Sequence, residues 1–244
     1  MFFGFFYWDW TILILVPAMI FAFAAQIAVK SAFDKYNKIP TARRMSGAEA
    51  ARRILDRNGL YEVKIERVKG HLTDHYDPRT NVIRLSEATH DSVSVAALGV
   101  AAHEAGHAVQ HATGYFPIKV RAAIIPITQI GSQLAMPIFL IGILLSYFQY
   151  LPWEVCGVIM GAGILLFSLT ALFQLITLPT EFNASSRALK TLEDAGILYE
   201  EEITGARKVL SAAAMTYVAA LASSLASLLR LIVIANGASN RRRN

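Results

Sequence analysis

Four apolar stretches, over 11–29, 122–147, 155–178 and 212–235, constrain this 244-residue chain more than anything else in it. At 1.5 Å of rise per residue, the shortest makes a helix of about 28 Å, close to the thickness of bilayer hydrocarbon. With 55% hydrophobic and 17% charged residues, the chain is also more apolar than an ordinary soluble domain. The connector "FQYLPWE" between the second and third stretches is short and has no basic residue, so that pair reads as a transmembrane hairpin. Pro17 marks a place for a kink in the first span, which membrane helices tolerate. In the fourth stretch, Thr216, Ala219, Ser223 and Ser227 form a small-residue stripe suited to packing on the first span. Arg230 lies near one end, where it can snorkel. The alternative for this fourth stretch is a buried helix of a soluble lobe.

Charge sets the orientation. The net charge is +5, but the basic residues flank apolar segments instead of forming an aromatic-interleaved stripe, which argues against nucleic acid. Lys30, Lys35, Lys38, Arg43 and Arg44 follow the first span, Lys119 and Arg121 precede the second, and Arg187 and Lys190 follow the third. All fall on one side, which the positive-inside rule makes the cytoplasm. A spanning fourth helix puts both termini outside, against the preference of Arg241, Arg242 and Arg243. The opening "MFFGFFYWDW" lacks the basic n-region of a cleavable signal and reads as an aromatic, interfacial lead-in to a retained anchor. The lone Cys156 has no partner for an internal disulfide.

These signals divide the chain into an anchor (1–30), a polar cytoplasmic lobe (31–121), the hairpin (122–178), a second cytoplasmic segment (179–211), a fourth span (212–235) and a basic tail (236–244). The expected fold is mainly α, with about four transmembrane helices and a small α+β lobe. In the lobe, "SGAEAARRILDRNG" reads as a helix with Ser46 and Glu49 in capping-box spacing and Gly59 at its stop. "DPRTN" supplies turn chemistry for a small β-hairpin ending in "NVIRLS", and a helix from Ser92 to His111 stops at Gly114. The run "YEEE" at 199–202 reads as solvent-facing.

Chemistry concentrates in "AAHEAGHAVQ". A buried imidazole or carboxylate without partners costs several kcal/mol, so three within five residues call for a common partner, and a metal ion supplies one. His103 and His107, four apart on a helix, share a face with a rise of about 6 Å and can reach one ion. Glu104 stands beside that ion, in the H-E-x-x-H spacing in which zinc takes both histidines and the glutamate takes a proton from a metal-activated water. Ala105 and Gly106 leave room for close backbone packing. A catalytic zinc usually has a third protein ligand. His111 lies about 12 Å from His103 along the helix, too far to share the ion. His71 and His75 do not converge on a strand. Glu181 in "LPTEFNASSRAL" is the better candidate, because the hairpin returns the chain to the side it left. Pro179 and Thr180 predict a helix start there, with Glu181 in its first turn, where the helix dipole alone would also favour an acid.

The combination of "DHYDPRTNVIRLS", "AAHEAGHAVQHATGY" and "LPTEFNASSRAL" with apolar spans between them resembles the bacterial YugP-like family of neutral zinc metallopeptidases over essentially the whole chain. More distantly it is similar to the HtpX and CAAX-processing membrane metalloproteases. That resemblance implies a zincin-like (gluzincin) lobe, one catalytic zinc on His103, His107 and Glu181, and Glu104 as the catalytic glutamate. It also implies a protein or peptide substrate, including one at the membrane, in the lipid bilayer of the bacterial plasma membrane. The wider clan carries an Asp four residues after its glutamate ligand, where this chain has Ser185, so Ser185 or Asn183 would support a ligand histidine. Arg187, His75, Tyr76 and Tyr217 are candidates for stabilising the oxyanion. The strand around Val82–Leu85 is a candidate for pairing with an extended substrate. Three rivals stand beside this reading. A site-2-type intramembrane protease needs an acidic ligand inside a later span, and spans two and three have none. An inactive scaffold retaining a metal site would carry the same motif, whereas a metal transporter would place acids or histidines within the spans.

Overall fold

A computed structural model of the chain describes residues 9–240. The aromatic lead-in before residue 9 and Arg241, Arg242 and Arg243 lie outside the described residues. A short 3-10 helix (Trp10–Ile14) is followed by α1 (Val16–Tyr36), α2 (Gly47–Arg57), β1 (Lys64–Val68), β2 (His75–Asp77), β3 (Val82–Ser86), α3 (Glu87–His90), α4 (Val95–Ala112), α5 (Phe116–Tyr147), α6 (Trp153–Asp194) and α7 (Glu200–Asn240). Two compact units form. One takes the chain through Ala24, Arg121–Ile176 and from Tyr217 onward; the other takes Ala25–Val120 and Thr177–Thr216.

The first unit is apolar and helical. Among the described residues, α1, α5, α6 and α7 are long and apolar enough to cross a membrane, with mean hydropathy of 1.6, 1.7, 2.3 and 2.1 over their most apolar windows. At most 28% of any such window is buried by protein, so these helices present the apolar surface expected of membrane-spanning segments. Phe139, Met160 and Leu231 form the unit's core. At Gly163 a Cβ would meet the Phe139 nitrogen at 2.8 Å, so this glycine lets α5 and α6 approach closely. Arg230 reaches Asp9 at 2.6 Å and Thr11 at 3.1 Å. The expected snorkelling arginine is therefore ion-paired.

The second unit is a small α+β lobe. The capping box at Ser46 is complete, with Ser46 accepting from the Glu49 amide and Glu49 reaching back to the Ser46 amide. Gly59 and Gly114 adopt the left-handed conformation expected of helix stops, at φ 73° and 64°. β2 and β3 form the expected antiparallel hairpin around the DPRTN turn, but β1 adds a parallel strand on β3's other side, giving the order β1-β3-β2. β3 is thus central, its edges taken, and cannot pair with a substrate as its sequence suggested. Its burial explains the place: Val82, Ile83 and Leu85 are at most 4% exposed. Ile83 and Leu85 pack with Ile54, Leu55, Leu98 and Leu192 in the main core.

Two helix boundaries depart from expectation. Pro17 is the second residue of α1, where a missing N–H costs nothing, so it starts the helix instead of kinking it. Pro179 does not start a helix but lies inside the continuous α6, placing Glu181 mid-helix. An interior proline costs about 3 kcal/mol. Here Ala184, Ala188 and Leu192, spaced four apart and at most 1% exposed, carry the helix onward by packing in the lobe.

Candidate metal centre

α4 brings the HEAGH residues to the centre of the lobe. Ser94 caps it by accepting from the Ala97 amide at 3.2 Å. Its inner face is alanine: Ala97, Ala101, Ala102 and Ala105 are fully buried, so neighbouring backbones come close. The tightest approach is at Gly106, where a Cβ would stand 2.8 Å from the Ala184 carbonyl oxygen of α6. A side chain there would push the two helices apart. Glu181, one turn earlier on α6 and 2% exposed, consequently reaches the histidines.

Three ligand atoms converge. His103 Nε2 and His107 Nε2 are 3.1 Å apart, and Glu181 Oε2 lies 3.3 Å from the first and 3.5 Å from the second. Zinc–nitrogen and zinc–oxygen bonds of about 2.0–2.1 Å at tetrahedral angles put neighbouring ligand atoms about 3.3–3.4 Å apart. The observed triangle matches one face of that tetrahedron. Hydrogen bonding gives the same result. His103 Nδ1 faces Ser185 Oγ at 3.1 Å and His107 Nδ1 faces Gln110 Oε1 at 3.0 Å. With protons assigned to both Nδ1 atoms, each ring turns a lone pair at Nε2 toward the other ring and the carboxylate. Such a set needs a shared cation, either a metal ion or a proton held between imidazole and carboxylate, so the donors present fit a zinc ion.

Electrostatics reflect the same crowding. Burial alone would raise the Glu181 carboxyl, but hydrogen bonds and charge from His103 and His107 hold it well below the usual carboxylate range. For His107, burial disfavours the charged ring, and Glu181, the charge of Glu104 and the Gln110 carbonyl outweigh it, so the imidazole sits above its ordinary value. Glu104 is 8% exposed, and no hydrogen bond engages its carboxylate among the described residues.

The remaining sequence candidates separate. Ser185 meets His103 directly, and Asn183 and Arg187 form a second layer in which Arg187 Nε donates to Asn183 Oδ1 at 2.8 Å. His75 is exposed on β2 against the Thr73 carbonyl. Tyr76 donates to Asn81 Oδ1 at 2.9 Å and packs its ring on His111, with centroids 5.5 Å apart. Burial, with the charge of Asp77, raises its phenol. Tyr217 lies on α7 in the apolar unit. His111 and His71 stay out of the ligand cluster, His71 meeting Phe33 edge-on. Gln110 was missed by sequence reading, although a glutamine in an alanine-valine run, one turn beyond a ligand histidine, was the available signal. Nor is "YEEE" uniformly idle, since Glu202 accepts from the Ala42 amide at 2.7 Å and the Tyr199 amide at 2.8 Å.

The family described as "Putative neutral zinc metallopeptidase" matches residues 11–236. The chain belongs to this family. It is 47% identical to the "Putative membrane protease YugP" of Bacillus subtilis (strain 168) over 223 residues, covering 91% of this chain and 95% of that protein. No solved structure matches the chain. Membership in a zinc metallopeptidase family and the His103–His107–Glu181 cluster, which could hold a metal ion, agree with each other.

Proposed function

We propose that this chain is a gluzincin-type zinc metalloprotease of the bacterial plasma membrane, hydrolysing peptide bonds from a zincin-like lobe on the cytoplasmic side. The observation that carries the reading is the triangle of 3.1, 3.3 and 3.5 Å between His103, His107 and Glu181. These three residues would hold one zinc ion. When bound, zinc supplies a Lewis acid that polarises the scissile carbonyl and eases deprotonation of a water. Glu104, next to His103 on α4 and without a hydrogen-bonding partner among the described residues, takes the proton from the attacking water. Its protonated carboxyl then delivers that proton to the leaving amine. Ser185 and Gln110 hold the imidazoles at Nδ1. With β3 enclosed, the outer edge of β2 takes the substrate-pairing role, and Tyr76 on that strand packs against α4 through His111. The basic flanks of the spans support the cytoplasmic placement.

The test is Glu104→Gln. The purified variant is expected to keep about one zinc per chain by elemental analysis, while peptide cleavage falls by about 10²–10⁴-fold. Full turnover in the variant would overturn the role of Glu104. An inactive scaffold would show no cleavage in the wild type, and a comparison of membrane proteomes with wild-type and variant protein would show no accumulating substrate.

A further inference from the structure

Gln110 touches both halves of the metal centre. Its side chain is fully buried and makes three hydrogen bonds, two donated and one accepted. The amide nitrogen donates to the Thr180 carbonyl at 2.8 Å and to Asn183 Oδ1 at 3.0 Å, while Oε1 faces His107 Nδ1 at 3.0 Å. Rotating the amide by half a turn would set its oxygen against two acceptors, so the network permits one orientation. Asn183 is fixed in turn. Its Oδ1 also receives Arg187 Nε at 2.8 Å, and a guanidinium can only donate. Asn183 Oδ1 therefore accepts from both Arg187 and Gln110, which turns Gln110 Oε1 to His107 and leaves that ring with its proton on Nδ1 and its lone pair on Nε2.

We infer that Gln110 is a positioning residue that assembles the metal centre, fixing the His107 tautomer and holding α6 at Thr180, next to Glu181. This rests on the metal site proposed above. One residue thereby couples the histidine pair on α4 to the carboxylate on α6, and Arg187, a sequence candidate for the oxyanion, is the fixed donor that orients Asn183. A histidine's outer partner is commonly worth 10–100-fold in metal affinity. Gln110 sets both the histidine and the approach of the third ligand.

The experiment compares full-length wild type, Gln110→Met and Gln110→Glu in detergent. Zinc affinity is read by chelator competition, and the histidine tautomers of the metal-free protein by nitrogen-15 NMR. Gln110→Met, similar in size and without hydrogen bonds, is expected to lose about 10–100-fold in zinc affinity and to show His107 as a mixture of tautomers. Gln110→Glu keeps an acceptor for His107 but no donors, so it should retain the Nδ1–H tautomer while binding zinc about 10-fold more weakly. A merely structural glutamine would lower the melting temperature without moving the tautomer. Either variant binding zinc within twofold of wild type, or an unchanged tautomer in Gln110→Met, would overturn the inference. Should Gln110→Met fail to fold, the split between tautomer and affinity in Gln110→Glu decides. Absence of zinc binding by the wild type would instead remove the metal site, and this inference with it.

Discussion

Glu181 is a carboxylate that water scarcely reaches, held within 3.5 Å of two imidazole nitrogens. Glu181→Ala should therefore remove a whole ligand. Outer partners alone are worth 10–100-fold, so zinc affinity is expected to fall by more than about 100-fold, with cleavage lost alongside it. Chelator competition reads the first and a peptide assay the second; zinc bound as tightly as in wild type would place the third ligand elsewhere. Glu202 offers a contrast. It caps α7 by accepting from the Tyr199 amide and also holds Ala42, so Glu202→Ala should cost about 1 kcal/mol, typical of a lost cap. Glu201→Ala should leave the melting temperature unchanged. At this scale the sequence reveals what local spacing encodes. The i,i+4 histidines, the glutamate beside them and the capping box at Ser46 all follow from one helical period. The bonds from Gln110 to Thr180 and Asn183, and from Ala42 to Glu202, join segments far apart in the chain, and spacing along one helix cannot reveal such partners.

Helices α4 and α6 form the centre between them, and their separation sets whether Glu181 reaches the histidines. Gly106 controls that separation. Its absent Cβ would sit 2.8 Å from a backbone oxygen of Ala184, which cannot swing aside like a flexible side chain. Gly106→Ala is expected to destabilise the protein by about 1–3 kcal/mol through overpacking and to weaken zinc binding as α6 is displaced. Gly157→Ala, on α6 where an added Cβ meets nothing within 4 Å, is the control. Equal melting temperatures and equal zinc affinities for the two variants would contradict this account. Sequence and structure diverge most over α6. Pro179 looks like a start signal because proline is unfavourable inside helices, yet the buried Ala184, Ala188 and Leu192 belong to packing that only the folded lobe supplies. β1 is similar: a hairpin is encoded by its own turn, whereas a parallel neighbour depends on a crossover that no turn residue announces.

For the whole molecule, the run of α7 decides which side of the membrane each end occupies. α7 has mean hydropathy 2.1 over its most apolar window, with 17% of that window buried, which fits a lipid-facing span better than the core of a soluble lobe. The Arg230–Asp9 pair adds a constraint absent from hydropathy. Asp9 precedes the first span, so pairing at 2.6 Å puts the far part of α7 at the level where α1 begins. If α1 enters from outside, as its basic C-terminal flank directs, Arg230 lies near the outer face. The three arginines after residue 240 oppose this by the positive-inside rule, but the first helix usually dominates orientation and the first three spans agree. We predict four spans with both termini outside. With the buried Cys156 replaced by alanine, single cysteines at Asn240 and Thr80, in the DPRTN turn, can be probed in intact cells with a membrane-impermeant thiol reagent. Asn240→Cys should label and Thr80→Cys should not. Labelling at the turn would overturn the cytoplasmic site, and no labelling at residue 240 would leave three spans with α7 returning to the lobe's side.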